Sequence, residues 1–189
     1  MRSVTCSMTV SLDGYATDPD GGLDWGAPDE EVFRLATEEV RGTGVHLLGR
    51  RLYEAMLYWE DAEEDPSLGY STREFADLWR ALPKVVFSRT LTSVRGNARL
   101  ATGTLAEEVE RLRAEPGEGD IAIGGPDLVA QAAALDLVDE YRLRTNPVLL
   151  GGGTPLFPQD GRRTDLELLE CRTLASQVLH LRYRVLRER

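Results

Sequence analysis

Cysteine and histidine are scarce in this 189-residue chain, two of each, and the scarcity removes several kinds of chemistry at the outset. Cys6 and Cys171 are far apart and neither belongs to a Cys-x-x-Cys pair, so neither a disulfide framework nor a dithiol redox motif is present. Both fall in alternating apolar stretches and read as inert, reduced, buried thiols. His46 and His180 are isolated, with no His-Glu-x-x-His and no cysteine-histidine zinc spacing, which leaves no metal site to expect. A Gly-x-Ser-x-Gly elbow and a Walker loop are missing too, so nucleophile and nucleotide-hydrolase chemistry are disfavoured. No apolar run approaches the roughly eighteen residues of a membrane helix, and Met1 to Cys6 lacks a secretory apolar core; a cytoplasmic protein is expected. Basic residues are outnumbered as well, 22 against 32 acidic ones for a net charge of −10, which counts against nucleic acid as the main partner. A few local arginines can still hold a small anion.

What is present suits a single folded domain over 1–189: 42% apolar residues are too many for disorder, and no linker divides the chain. Val4 to Leu12 alternates with period two, the pattern of a strand with one polar face, and stops at Asp13-Gly14. Pro28 opens a helical pattern through Val32, Leu35, Ala36 and Val40, closed by Gly42 and Gly44. Val45 to Leu48 is a short strand ending at Gly49, and helical spacing resumes from Arg50 to Trp59. The acidic run Glu60 to Asp65 reads as a solvated loop that leads through Pro66 to a helix over about Ser71 to Leu82 and a strand from Lys84 to Ser88. Thr104-Leu105-Ala106-Glu107 is a capping box, followed by the apolar face of Leu105, Val109 and Leu112. Ile121 to Ile123 is a buried strand that runs into Gly124-Gly125-Pro126 and a helix. Strands then dominate, over Glu140 to Thr145, Leu166 to Thr173 and Gln177 to Leu186. Repeated strand-helix units predict an α/β protein, a mostly parallel sheet with helices on both faces and an antiparallel hairpin at the C-terminal edge.

In such a sheet ligands bind beyond the carboxyl ends of the strands, which singles out three junctions. At Gly124-Gly125-Pro126 the glycines allow a close approach of backbone to ligand, and proline at a helix start leaves amides free for an anion. At Gly49-Arg50-Arg51 two guanidiniums stand in the first turn of a helix, where they oppose its dipole and invite a phosphate or a carboxylate neighbour. At Ser88-Arg89-Thr90 a strand ends in a hydroxyl, a guanidinium and a hydroxyl, a set suited to a ribose 2′-phosphate. A Rossmann Gly-x-Gly-x-x-Gly is absent both here and at Gly151-Gly152-Gly153.

These junctions, with Ser11-Leu12-Asp13-Gly14, Leu23-Asp24-Trp25, Leu48 to Glu54, Lys84 to Leu91, Ile123 to Pro126 and Pro147 to Gly153 in that order, resemble the dihydrofolate-reductase-like fold, and in particular the C-terminal reductase domain of the bacterial riboflavin-biosynthesis protein RibD and its stand-alone relatives. The resemblance spans nearly the whole chain and implies a three-layer αβα fold, NADPH as cofactor and a homodimer. It implies that Gly49, Arg50 and Arg51 lie along the cofactor phosphates, that Ser88 and Arg89 meet the adenosine 2′-phosphate, and that Gly124, Gly125 and Leu128 meet the pyrophosphate and nicotinamide side. Relatives often carry threonine after the Gly-Arg-Arg run; Leu52 stands there in this chain, and weaker cofactor binding follows. On the substrate side the resemblance points to Trp25 and to a carboxylate, with Asp13, Asp29 and Glu30 the candidates, although acids at 29–31 are also what any helix N-terminus prefers. The implied reaction is hydride transfer from NADPH to a C=N or C=O carbon of a small heterocycle, with reduction of 5-amino-6-(5-phosphoribosylamino)uracil the named activity. Dihydrofolate reduction and a non-catalytic nucleotide-binding role are the alternatives.

Overall fold

The computed structural model describes residues 1–62, 69–157 and 159–187. Its frame is an eight-stranded sheet built from β1 (Val4–Ser11), β3 (Thr43–Gly49), β4 (Lys84–Phe87), β5 (Ala98–Leu100), β6 (Asp120–Gly124), β7 (Glu140–Asn146), β9 (Leu166–Thr173) and β10 (Leu179–Val185). They lie in the order β5-β4-β3-β6-β1-β7-β10-β9. From β5 to β7 every pairing is parallel, and β10 then runs antiparallel to both β7 and β9, which is the expected C-terminal hairpin. A second, two-stranded sheet pairs β2 (Tyr15–Thr17) with β8 (Thr154–Pro155), short strands that no period in the sequence announces.

Five helices cover the two faces: α1 (Glu30–Arg41), α2 (Arg50–Met56), α3 (Tyr70–Ala81), α4 (Leu105–Ala114) and α5 (Pro126–Ala134). Apolar residues of α4 and α5, among them Val109, Leu112, Leu128 and Val129, pack with Val4, Cys6, Leu47, Ile121 and Ile123 on one face. Tyr53 of α2 with Phe75 and Trp79 of α3 packs on Leu48 and Val86 of the other, where Phe33 of α1 joins the aromatic stack. Val32 and Leu35 of α1 close over Leu174 and Val178. The capping box at α4 forms as read, with Thr104 and Glu107 exchanging side-chain to backbone bonds.

Several expectations need correction. β1 sits at the centre of the sheet and is covered on both sides, so its polar alternates are not a wet face: Thr5 and Ser11 are buried, and Ser7 donates to Glu39. Cys6 is buried, which pushes its thiol pKa up, but Cys171 is exposed because β9 is the outer edge of the sheet. Pro28 lies outside α1; the helix begins two residues later with Asp29 as its cap. The helix after Gly49 ends at Met56 and continues as a 3-10 turn over Leu57–Trp59. In the acidic run, residues 63–65, with Pro66 beyond them, lie outside the described residues, but Glu60 is no solvated loop residue. It meets Lys84 Nζ at 3.0 Å, and Lys84 is 2% exposed, beside Trp79. A buried ammonium needs such a carboxylate, and burial, partly offset by Glu60, lowers the lysine pKa.

Candidate functional site

The parallel strands bring the three sequence-predicted junctions to one edge. In the sheet register Gly49 stands beside Phe87 and Leu48 beside Gly124, so the loops that follow β4, β3 and β6 open next to one another. Beyond β6 the order of strands reverses at β1, which makes this the crevice where an open α/β sheet takes a ligand.

Each loop has room and free donors. Gly125 has φ +93°, a left-handed conformation that suits glycine, and caps α5 with no side chain over the helix amides. Pro126 and Leu128 follow in the first turn; the Leu128 side chain is 4% exposed and belongs to the core, so its backbone alone is placed toward the loop. A methyl group at Gly124 would fall 2.6 Å from Leu52 Cδ2 and 2.8 Å from His46 Cε1, whereas one at Gly49 would meet open space. His46 is neutral at ordinary pH, since burial, with Lys84 nearby, lowers its pKa to about 4. Its Nδ1 finds no hydrogen-bond partner among the described residues. Arg50, Arg51 and Arg89 are exposed and make no hydrogen bond or ion pair among the described residues. Ser88 Oγ accepts from Thr90 N at 3.2 Å and Leu91 N at 3.0 Å, which folds the turn that presents Arg89. Free guanidiniums, glycine backbone and helix amides on one crevice are the parts an elongated, phosphate-bearing cofactor needs.

On the other side of β1 lies a cleft of about 240 Å³. Trp25, Ala27, Pro28 and Val148 supply its apolar surface and Asn146 and Ser176 its polar side chains. Trp25 Nε1 donates to Gly22 O at 3.2 Å, which fixes the indole. Of the candidate acids, Asp29 Oδ1 accepts from Val32 N at 2.8 Å; with a further bond from Ser176, this capping lowers its pKa. Asp13 accepts from Ser11 Oγ, Leu150 N and Gly151 N; the Ser11 and Gly151 bonds lead in lowering its pKa and tie the 150–151 turn to the end of β1. Glu30 is exposed on the first turn of α1. A second hollow, about 300 Å³ and lined by Arg2, Lys84, Asn97 and Arg99 among others, opens at the amino ends of β3 to β5. Its Lys84 and Arg99 are already paired with Glu60 and Glu108, and it lies at the sheet edge opposite the junctions.

The sequence reading missed Asn146 and Ser176. Asn146 ends β7, and the Asn-Pro step that stops the strand was a usable signal; Ser176 lies in the turn before β10, where nothing local marks it. Among the described residues no group of three or more His, Cys, Asp or Glu could hold a metal ion. No helix among them is long and apolar enough to cross a membrane.

Comparison with known proteins agrees with this architecture. Residues 2–180 match the family model described as the RibD C-terminal domain. An uncharacterised Bacillus subtilis (strain 168) protein, YyaP, is 31% identical over 96% of this chain and 94% of its own. A Shewanella sp. PV-4 protein provisionally assigned to riboflavin biosynthesis superposes with TM-score 0.74 at 23% identity, covering 98% of this chain and 99% of its own. A Thermotoga maritima diaminohydroxyphosphoribosylaminopyrimidine deaminase/5-amino-6-(5-phosphoribosylamino)uracil reductase superposes with TM-score 0.66 at 14% identity, covering 98% of this chain but 57% of that one.

Proposed function

The chain belongs to the RibD C-terminal domain family, and from that footing we propose that it is an NADPH-dependent reductase that delivers hydride to a C=N or C=O carbon of a small heterocyclic substrate. The observation that carries the reading is the convergence of Gly49, Phe87 and Gly124 at one sheet edge, with Arg50 and Arg51 at the start of α2 and Arg89 in the turn after β4, all three without a partner among the described residues. The reaction class is the one named for the Thermotoga maritima relative, reduction of 5-amino-6-(5-phosphoribosylamino)uracil, and its shared fold supports this reading.

NADPH, when bound, supplies the hydride. Gly124 and Gly125 give its pyrophosphate a close backbone approach at the start of α5, Arg50 and Arg51 neutralise phosphate charge, and Ser88 and Arg89 hold the 2′-phosphate. Trp25 would orient the acceptor in the cleft beside β1, next to the β6-β1 crevice that would hold the reactive end of the cofactor. Asp29 and Asp13 act as positioning groups, one capping α1 and the other pinning the 150–151 turn. Among the described residues no ionisable side chain lines the cleft itself, and Asp13, Asp29 and Glu30 stand near it as the candidates for proton delivery. Leu52 packs against the glycine loop where a hydroxyl would add a phosphate bond, which makes the cofactor affinity modest.

The protein is read as a cytoplasmic homodimer. β9 is an open sheet edge with Leu166 and Leu168 exposed, the latter by 53%, and a second copy would cover it. Sedimentation as a monomer at micromolar concentration would remove the dimer.

Titrating purified protein with NADPH and NADH, then following cofactor oxidation with the aminopyrimidine ribonucleotide and with dihydrofolate, tests the function. Tighter binding of NADPH than NADH and oxidation with an aminopyrimidine are expected. Binding without oxidation by any acceptor would leave a nucleotide-binding protein, and no binding would end the reductase reading.

A further inference from the structure

His46 lies against the glycine loop, and nothing in the proposed reaction uses it. On β3 it stands in register with Lys84 of β4 and Ala122 of β6, two residues before Leu48, which pairs with Gly124. A methyl group at Gly124 would fall 2.8 Å from its Cε1 and 3.3 Å from its Nε2, so the Cε1–Nε2 edge of the ring takes the side of the loop that glycine leaves bare. Leu52 of α2 fills the rest of that space, with Cδ2 at 2.6 Å from the same point. Trp79 of α3 meets the imidazole edge-on, with 5.4 Å between ring centroids.

The imidazole is held by packing alone. Neither ring nitrogen makes a hydrogen bond among the described residues: Nδ1 is fully buried, whereas Nε2 keeps some open surface. A hydrogen bond at one nitrogen usually fixes which of the two carries the proton, and here that bond is missing. The charge around the ring is of one sign. Lys84 comes from β4, its ammonium held by Glu60 at 3.0 Å and lying over Trp79, and no carboxylate pairs with the imidazole among the described residues. Arg50 and Arg51 stand in the first turn of α2, while the groups that α3 and β6 bring are neutral, Trp79, Ala122 and Gly124. Burial and the Lys84 charge hold His46 neutral, with a pKa of about 4. What the ring lacks is an anionic acceptor, and the loop beside it is where the backbone makes room for one.

We propose, resting on the reductase reading above, that His46 is a cofactor-binding residue: its Nε2–H donates to a phosphate oxygen of the dinucleotide on the Gly124-Gly125 loop, and the imidazole takes up one proton from solvent as that anion binds. An anion at hydrogen-bond distance favours the charged ring and offsets both the repulsion from Lys84 and the penalty of burial. The proton follows the ligand, so by linkage the ligand binds more tightly as pH falls toward the imidazole range. A midpoint raised from about 4 to between about 5.5 and 6 tightens binding at pH 5 roughly four- to tenfold and changes little at pH 7. Gly124 then serves twice, giving the phosphate its backbone approach and the ring its room.

The chain has two histidines, His46 and His180, so NMR of the imidazole nitrogens in the full-length protein reads each one separately. Saturation with NADP⁺ should raise the His46 midpoint by about 1.5–2 pH units and leave that of His180 in place. Affinity is measured with NAD⁺, which carries the pyrophosphate without the 2′-phosphate, a group that itself titrates near about pH 6. Its dissociation constant should fall roughly four- to tenfold from pH 7 to pH 5. In His46→Gln, which keeps a side-chain N–H but cannot become charged, that pH dependence should vanish. The NMR titration uses the natural protein and decides the matter even where the variant fails to fold. A His46 signal unmoved by bound NADP⁺, or a pH dependence that survives in the variant, would overturn the inference and leave the reductase reading intact. Inorganic pyrophosphate separates the two in the other direction. A His46 response to it in protein that binds no dinucleotide would sink the reductase reading and keep His46 as an anion contact, and silence toward every probe would remove both.

Discussion

Arg89→Ala separates a 2′-phosphate clamp from general electrostatics. Arg89 is exposed at the end of β4 and has no partner among the described residues, so its loss removes no internal bond and should leave the melting temperature unchanged within error. The turn that presents it is held by Ser88, whose Oγ accepts from two backbone amides, so the backbone stays in place when the guanidinium is cut away. A charge-assisted hydrogen bond contributes about 1.5–3 kcal/mol, and solvent screening at so open a site reduces this to about 1–1.5 kcal/mol. The dissociation constant for NADPH should therefore rise roughly five- to twelvefold, while that for NADH moves by less than about twofold. Fluorescence titration with both cofactors at low and high salt reads this directly, and the NADPH penalty should shrink as salt rises. Equal weakening of the two cofactors would show that Arg89 acts only through the general field of the crevice, and an unchanged NADPH affinity would remove it from the site.

The glycine loop, the leucine beside it and the buried acid under α1 give further outcomes. Gly125→Ala forces a side chain into φ +93°, a strain of about 1–2 kcal/mol, and should lower thermal stability and weaken both cofactors alike; an unchanged affinity would detach this loop from the site. Leu52→Thr places a hydroxyl against the same loop and should tighten NADPH by roughly three- to tenfold at some cost in stability from lost packing, with titration and melting as paired readouts. Glu39, like Glu108, should contribute to acid sensitivity. Burial alone would raise its pKa, but Arg144 at 2.7 Å, helped by Ser7, holds it at about 2 instead of the ordinary 4.5. A depressed carboxylate stabilises the fold fully above about pH 4.5, and that contribution, about 2–3 kcal/mol, is lost as pH falls toward about 2. Melting curves across that window should fall more steeply for the natural protein than for Glu39→Gln, and parallel curves would refute the assignment.

How far the site could be read in the sequence depended on the range of the forces that shape it. The Gly124-Gly125-Pro126 junction was legible because its cause is local: only glycine takes a left-handed φ without strain, and proline favours a helix start. The parallel sheet was legible for a related reason, since Val45 to Leu48 and Ile121 to Ile123 are short apolar runs that only a doubly covered strand tolerates. The cleft was not legible, because Trp25, Asn146 and Ser176 line it from positions more than a hundred residues apart, and the β1-β7 and β7-β10 pairings together bring them there. Long range also hid the partner of Glu60, a residue that looks like part of a solvated run until the buried ammonium of Lys84 is seen to require it. The case of Asp29 runs the other way. Its neighbours favoured a capping role over a substrate contact, but Pro28 drew the helix start two residues early and left Asp29 and Glu30 equivalent. Once α1 begins at Glu30, the Asp29 carboxylate accepts from the Val32 amide at 2.8 Å as the cap of the helix. The placement of one helix boundary thus gives the Asp29 carboxylate a capping role and leaves no ionisable side chain among the residues that line the cleft.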